Sequence, residues 1–176
     1  VTSITIITSL IQVVGVLTGG FQQGIQPIIG FNFGARNMRR VRQAIRMAFV
    51  TQIASATALV SVLAAFPGFF ASWFTTEQTV IDIVTRMMPI FVCGWGVFGI
   101  QLGAQCAFVG MGQAGQSVFL AVFRKVILLV PLALLLPHWL GVDGIFIAEP
   151  ISDATSGMVA GLLFLITYRR IRRNLV

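Results

Sequence analysis

A chain of 176 residues that is 57% hydrophobic and only 10% charged carries more apolar surface than a soluble core of that size buries. Its mean hydropathy of +0.93 is spread over several long runs, which excludes a soluble domain with a single anchor. Twelve Lys and Arg against five acids give a net charge of +7, a balance that elsewhere points to nucleic acid, but here the basic residues sit in short connections between apolar runs, so the expected partner is the lipid bilayer and no nucleic acid.

The chain opens at Val1 without Met and is apolar at once, unlike a short cleavable signal ahead of a mature domain. Further chain upstream is expected. Five runs are long enough to cross the roughly 30 Å hydrocarbon layer, at about 4–33, 44–66, 84–109, 118–138 and 142–168. Residues 1–176 thus read as a single all-α polytopic membrane domain with a basic cytoplasmic tail over 169–176.

In the first span, Thr8, Gln12, Gly15, Gly19, Gln22, Gln26 and Gly30 recur at three- and four-residue steps and share one helix face. Hydrocarbon supplies no partner for an amide, so this face meets protein or water. The pairs Gly15–Gly19, Gly20–Gly24, Gly30–Gly34, Gly99–Gly103 and Gly157–Gly161 have the small-xxx-small spacing of close helix packing. Gln26 lies roughly 15 Å above Arg36, near the midplane, and is read as lining a cavity. Pro27 after it frees the carbonyl of Gln23 as a ligand or hinge.

The third span carries Gln101 and Gln105 beside Gly94, Gly96, Gly99 and Gly103. The two amides bond across to another helix, or, with Trp95, Phe98 and Phe108, line a cavity suited to organic cations. Cys93 and Cys106, about 20 Å apart on a continuous helix, are too distant for a disulfide and read as small packing residues. The fourth span is the least regular, because Arg124 and Lys125 fall inside it and must snorkel or face protein.

The last span holds two acids. Measured from Tyr168 at the inner interface, Asp153 is about 23 Å up and Glu149 about 29 Å, so Asp153 lies inside the layer. Two readings stay open for it. Pro150 disfavours helix at Glu149, which would put Asp153 in the first turn of a helix beginning near Pro150. Alternatively Asp153 faces a cavity and exchanges a proton or small cation between the two sides; residue type does not choose between H⁺ and Na⁺. Neither a metal site nor a cofactor is expected.

Lys and Arg concentrate in cytoplasmic connections. Arg36, Arg39, Arg40, Arg42 and Arg46, then Arg124 with Lys125, then Arg169, Arg170, Arg172 and Arg173 mark the first connection, the third and the C-terminus as inside, with Arg86 alone disagreeing. Val1 then lies outside. A protein beginning in the cytoplasm would need an odd number of spans before it.

The stretch GIQPIIGFNFGARNMRRVR, residues 24–42, resembles the segment of the multidrug and toxic compound extrusion (MATE) family in which a Q-P-x-x-G-x-N-x-G-A pattern ends a helix before a basic loop. A second stretch, residues 116–153, is similar to the family's final two helices with their R-K, P, G-x-x-G-I and P-x-x-D landmarks. The resemblance implies helices eight to twelve of a twelve-helix transporter, most of one of its two six-helix bundles, with the missing N-terminal helices as partners. It also implies secondary active efflux of cationic drugs or metabolites across the plasma membrane in exchange for H⁺ or Na⁺, by a transporter and not an enzyme. Gln26, Pro27, Asn32 and Gly34 match the pattern of helix eight, and Pro150 and Asp153 that of the last helix. Several family members keep their coupling carboxylates in helices outside this stretch.

Two other classes remain, a lipid-linked glycan flippase of the wider superfamily and a non-transporting structural subunit. A flippase would want several cations within the spans, and only Arg86, Arg124 and Lys125 qualify. An intramembrane aspartyl protease needs acids facing each other from two helices, whereas Glu149 and Asp153 share one.

Overall fold

The computed structural model describes residues 2–141 and 143–175, with side chains through Ile171. The expected place of Val1 and the charges of Arg172 and Arg173 therefore lie outside the described residues. Among those residues every regular element is helical: α1 Thr2–Gly34, α2 Met38–Ala65, α3 Pro67–Ala71, α4 Gln78–Val92, α5 Trp95–Gly110, α6 Ala114–Val122, a π-helical stretch Phe123–Leu129, α7 Val130–Leu140 and α8 Asp143–Leu175. Four helical stretches, α1, α2, the continuous Ala114–Leu140 and α8, are long and apolar enough to cross a bilayer, and α4 with α5 makes a fifth span bent by 50°.

The connections follow from local chemistry. At the end of α1 the Asn37 N–H donates to the Asn32 carbonyl at 2.9 Å and the Arg36 N–H to Phe33 at 3.0 Å, the paired bonds of a Schellman turn. Arg36 holds the left-handed position, at φ 55°. Asn37 then caps α2 by accepting from the Arg40 N–H at 3.2 Å. The connection is so short that α2 begins at Met38, ahead of the expected residue 44, and Arg39, Arg40, Arg42 and Arg46 ride on its first turns. The end of α5 repeats the device, with Gln113 N–H on Phe108 at 2.8 Å and Gly112 N–H on Val109 at 3.0 Å, and here a glycine, Gly112 at φ 71°, takes the left-handed place.

The third span is not the single helix expected over 84–109. Pro89 removes a donor near the end of α4, the Cys93 N–H reaches back only to Ile90, and Gly94 lets the corner lie directly against α8, where an added Cβ would come within 2.6 Å of the Pro150 carbonyl oxygen. Cys93, read as a packing residue, is instead exposed at this corner, while Cys106 is buried.

The fourth span runs from Ala114 to Leu140. Its π-helical stretch closes with the Val130 N–H on the Lys125 carbonyl, just before Pro131, which has no N–H for the turn behind it; the widened turns absorb that defect. The fifth span is continuous through Pro150. The reading in which a helix begins near Pro150 with Asp153 in its first turn is therefore overturned: α8 is under way seven residues before Pro150, which removes one rung while the helix continues on both sides of it. The helix also continues through the basic tail to Leu175.

Two apolar clusters form the ends of the bundle. One joins Ile7, Leu10, Leu63, Met88, Phe91, Trp95 and Phe146; the other joins Ile29, Val41, Ala107, Phe108, Leu120 and Phe164. Between them, at the waist, lie Thr18 of α1, Gln52 of α2, Gln101 of α5 and Ser152, Asp153 and Ser156 of α8, all buried and polar.

Candidate functional site

The waist has two parts. On the α1–α2–α5 side, Gln52 donates through Nε2 to the Thr18 carbonyl at 3.1 Å, and Gln22 donates to the Leu102 carbonyl at 3.2 Å. Cys106 Sγ donates in turn to the Gln22 carbonyl at 3.7 Å. Gln101 is buried with its Oε1 unpartnered, as is Oε1 of Gln52. Of the amides expected to line a cavity, Gln22 thus spends its nitrogen on a neighbouring helix, Gln101 is enclosed, and Gln26 and Gln105 are half-buried.

On the α5–α8 side sits a charge cluster. The π stretch points Arg124 at α8, where its Nε donates to Asp153 Oδ1 at 2.6 Å and its Nη2 to Glu149 Oε1 at 3.1 Å. Lys125 Nζ lies 3.8 Å from the same Glu149 oxygen. Asp153 is fully buried, and the Arg124 side chain is only 13% exposed. Ser152 Oγ donates to the Arg124 carbonyl at 3.1 Å, a bond that ties α8 to the widened backbone as well as to the side chain. The guanidinium carbon stands 4.1 Å over the ring of Phe98, whose neighbour Trp95 meets it edge-on at 5.4 Å.

This arrangement corrects two expectations. Arg124 lies ten residues into its helix rather than in a connection, so it does not count among the charges that mark the inside. Trp95 and Phe98 are core residues, 4% and 7% exposed, and the π face of Phe98 is taken by the chain's own cation instead of lining an open cavity. The groove of about 580 Å³ between α2, α5 and α8 is apolar, lined by Phe49, Ile100, Gly157, Met158, Gly161 and Leu162 among others, and none of the expected amides borders it.

The motif residues lie in α1 and α8. Asn32 is buried and donates through Nδ2 to the Ile28 carbonyl of its own helix at 2.8 Å. Pro27 lies within α1 and Gly34 ends it, while Pro150 backs onto the corner at Gly94. The residues that sequence reasoning missed are Gln52 and the partnership of Arg124 with Asp153. A signal for the second was present, since a basic and an acidic side chain each too deep to reach water satisfy each other. Among the described residues, no group of three or more His, Cys, Asp or Glu side chains comes together to hold a metal.

The uncovered surface is as informative as the buried one. Gly15, Gly19, Gly20 and Gly24 have nothing within 4 Å of where a Cβ would stand, and Gln12 and Gln23 are exposed. The N-terminal part of the α1 stripe, at Gln12, Gly15 and Gly19, is therefore left open among the described residues, while Gln22 and Gly30 farther along it meet α5.

Residues 1–135 match the MatE family. The FAD transporter of Shewanella oneidensis is 27% identical over 151 residues, which is 86% of this chain and 33% of that protein. Among solved structures, the MATE multidrug transporter DinF-BH aligns with a TM-score of 0.83 at 29% identity, over 89% of this chain and 35% of its own. A MOP superfamily transporter from Pyrococcus furiosus shares the fold, with a TM-score of 0.89 at 20% identity over 98% of this chain and 39% of its own. The chain thus spans between about a third and two-fifths of the length of these relatives. The five-span bundle, its Gln26–Gly34 pattern and a match over well over half of its residues agree, and the chain belongs to the MatE family.

Proposed function

We propose that this chain supplies helices eight to twelve of a secondary active exporter that expels organic cations, drugs or metabolites, from the cell across the plasma membrane in exchange for H⁺ or Na⁺. The observation that carries the reading is the open part of the polar stripe of α1. An amide-bearing, glycine-rich face on a spanning helix has no stable place against lipid tails, and among the described residues nothing stands within 4 Å of where a Cβ on Gly15 or Gly19 would lie, with Gln12 exposed beside them. It suits one wall of an aqueous pathway whose other wall is a second bundle, with Gln26 and Gly19 on the pathway side. Asp153 is the proposed coupling carboxylate, because an acid buried at the waist is costly unless it has a task. The arginines at the start of α2 and at Arg169 and Arg170 favour a cytoplasmic C-terminus.

A second reading for the cargo, a flavin dinucleotide, is favoured by the name of the Shewanella oneidensis relative. Its phosphates would want free cations along the pathway, whereas Arg124 is already committed to two carboxylates. The test is transport by the full-length protein in proteoliposomes, with a cationic dye and with FAD, under an imposed H⁺ or Na⁺ gradient. Gradient-driven dye efflux is expected; movement of FAD alone would replace the cargo assignment. If Asp153→Asn leaves driven efflux unchanged, Asp153 is not the coupling group.

A further inference from the structure

Among the described residues, the charged side chains around the Asp153 carboxylate come from two elements, Arg124 pairing with it directly and Glu149 and Lys125 acting on it through space. The π stretch supplies Arg124 and Lys125, and α8 supplies Glu149. The third wall, the corner at the start of α5, presents Gly94 to Asp153 and Phe98 to the guanidinium, neither of them charged. Two cations face two carboxylates, so the group as a whole is neutral. Its hydrogen bonding is nevertheless incomplete: Oδ1 of Asp153 takes the guanidinium, while Oδ2 is enclosed and accepts no bond.

A buried carboxylate oxygen without a donor is costly, and either a proton or a metal cation would relieve it. The two are not equivalent here. A metal cation bound to this carboxylate would sit about 4 Å from the Arg124 guanidinium, in a low-dielectric site where like charges repel strongly. A proton needs only Oδ2.

We propose that Arg124 is the resident counter-cation of Asp153, a positioning residue that reserves this carboxylate for protons and closes it to Na⁺. The proposal rests on the reading of Asp153 as a coupling group and adds which ion drives it. Loading transfers a proton from hydronium: one O–H bond forms at Oδ2, one O–H bond of the hydronium breaks, and water is left behind. The transfer turns Asp153 into a neutral acid and leaves the guanidinium paired with Glu149 alone, which weakens the tie between α8 and the Ala114–Leu140 helix at its middle while the Ser152 bond to the Arg124 carbonyl persists.

The experiment uses the full-length protein in two formats, dye efflux from proteoliposomes under separate H⁺ and Na⁺ gradients and thermal unfolding in detergent with and without NaCl against choline chloride. Wild type is expected to respond to the H⁺ gradient and to show no Na⁺-specific thermal shift. Arg124→Gln should lose proton-driven efflux by about tenfold or more and acquire a Na⁺-specific shift. Arg124→Lys, which keeps the charge but not the fork, should retain proton drive with a displaced pH profile. The double variant Arg124→Gln with Asp153→Asn removes both charges and so controls for folding; it should bind dye and respond to neither ion. A Na⁺-specific shift in wild type, or a wild-type pH profile in Arg124→Gln, overturns the proposal. If wild type moves dye under neither gradient the exporter reading fails by itself, and the thermal shifts still decide the role of Arg124.

Discussion

Along the seam between α5 and its neighbours, glycines are contact points: Gly157 lies against the backbone of Val97, Gly99 against Ile53 and Gly103 against Phe49. Along α1, Gly15, Gly19, Gly20 and Gly24 have the same four-residue spacing and meet nothing. One pattern therefore serves two ends. In the seam it removes side chains so that backbones approach and dispersion contacts multiply. On α1 it leaves the helix surface smooth at these positions, with no partner among the described residues. The contrast extends to the polar groups, because those of the seam are enclosed, with Arg124 spent on Asp153 and Glu149 and with Gln101 Oε1 and Asp153 Oδ2 left unpartnered, while Gln12 and Gln23 stay exposed.

The strongest way to break the seam is through its charges. Arg124→Gln leaves the buried Asp153 without its counter-ion, and thermal or denaturant unfolding in detergent is expected to show a loss of about 3–5 kcal/mol. Overpacking comes next. Gly157→Leu drives a side chain into the Val97 backbone and should cost about 1–3 kcal/mol by the same measurement. On the open face the sign reverses: Gly19→Ala is expected to raise stability by up to about 1 kcal/mol, from helix propensity alone, and if the face borders the transport pathway, dye efflux should change in KM more than in kcat. The smallest effect lies outside both regions. Arg36→Gly relieves a left-handed arginine in the first turn and should add about 0.5 kcal/mol, whereas Gly112→Ala at the matching position should lose a comparable amount. Destabilisation by Gly19→Ala equal to that of Gly157→Leu would erase the distinction between the two faces.

Much of the frame was legible because lipid imposes it. Length and hydropathy alone mark five spans, and the Gln26–Gly34 pattern lies at the end of α1 with Asn32 turned inward. The bend at Cys93 was not legible, since an apolar run of that length satisfies the span criterion whether straight or broken; Pro89 and Gly94 mark the place only once α8 is known to cross there. The aromatic residues of the same run misled for a related reason. Composition says that Trp95 and Phe98 suit a cation, and one does sit on Phe98, but it is tethered 26 residues away at Arg124. The glycines could not be sorted by spacing, because whether a small residue is met by a partner depends on the neighbouring helix and not on its own.

The π-helical stretch has a consequence for how the fourth span tolerates change. A π turn holds one residue more than an α turn, so Val130–Leu140 is set about 100° around the axis from where an unbroken α-helix would carry it. Deleting one residue after Arg124, Leu128 for example, would let the stretch close as ordinary α-helix. The half of the helix bearing Arg124 and the half bearing His138 and Trp139 would then both keep their bearings, because the residue removed is the one that the wide turn absorbs. The loss of one codon within the widened turn would leave azimuth unchanged, whereas a codon lost from the α-helical part would turn everything beyond it by about 100°.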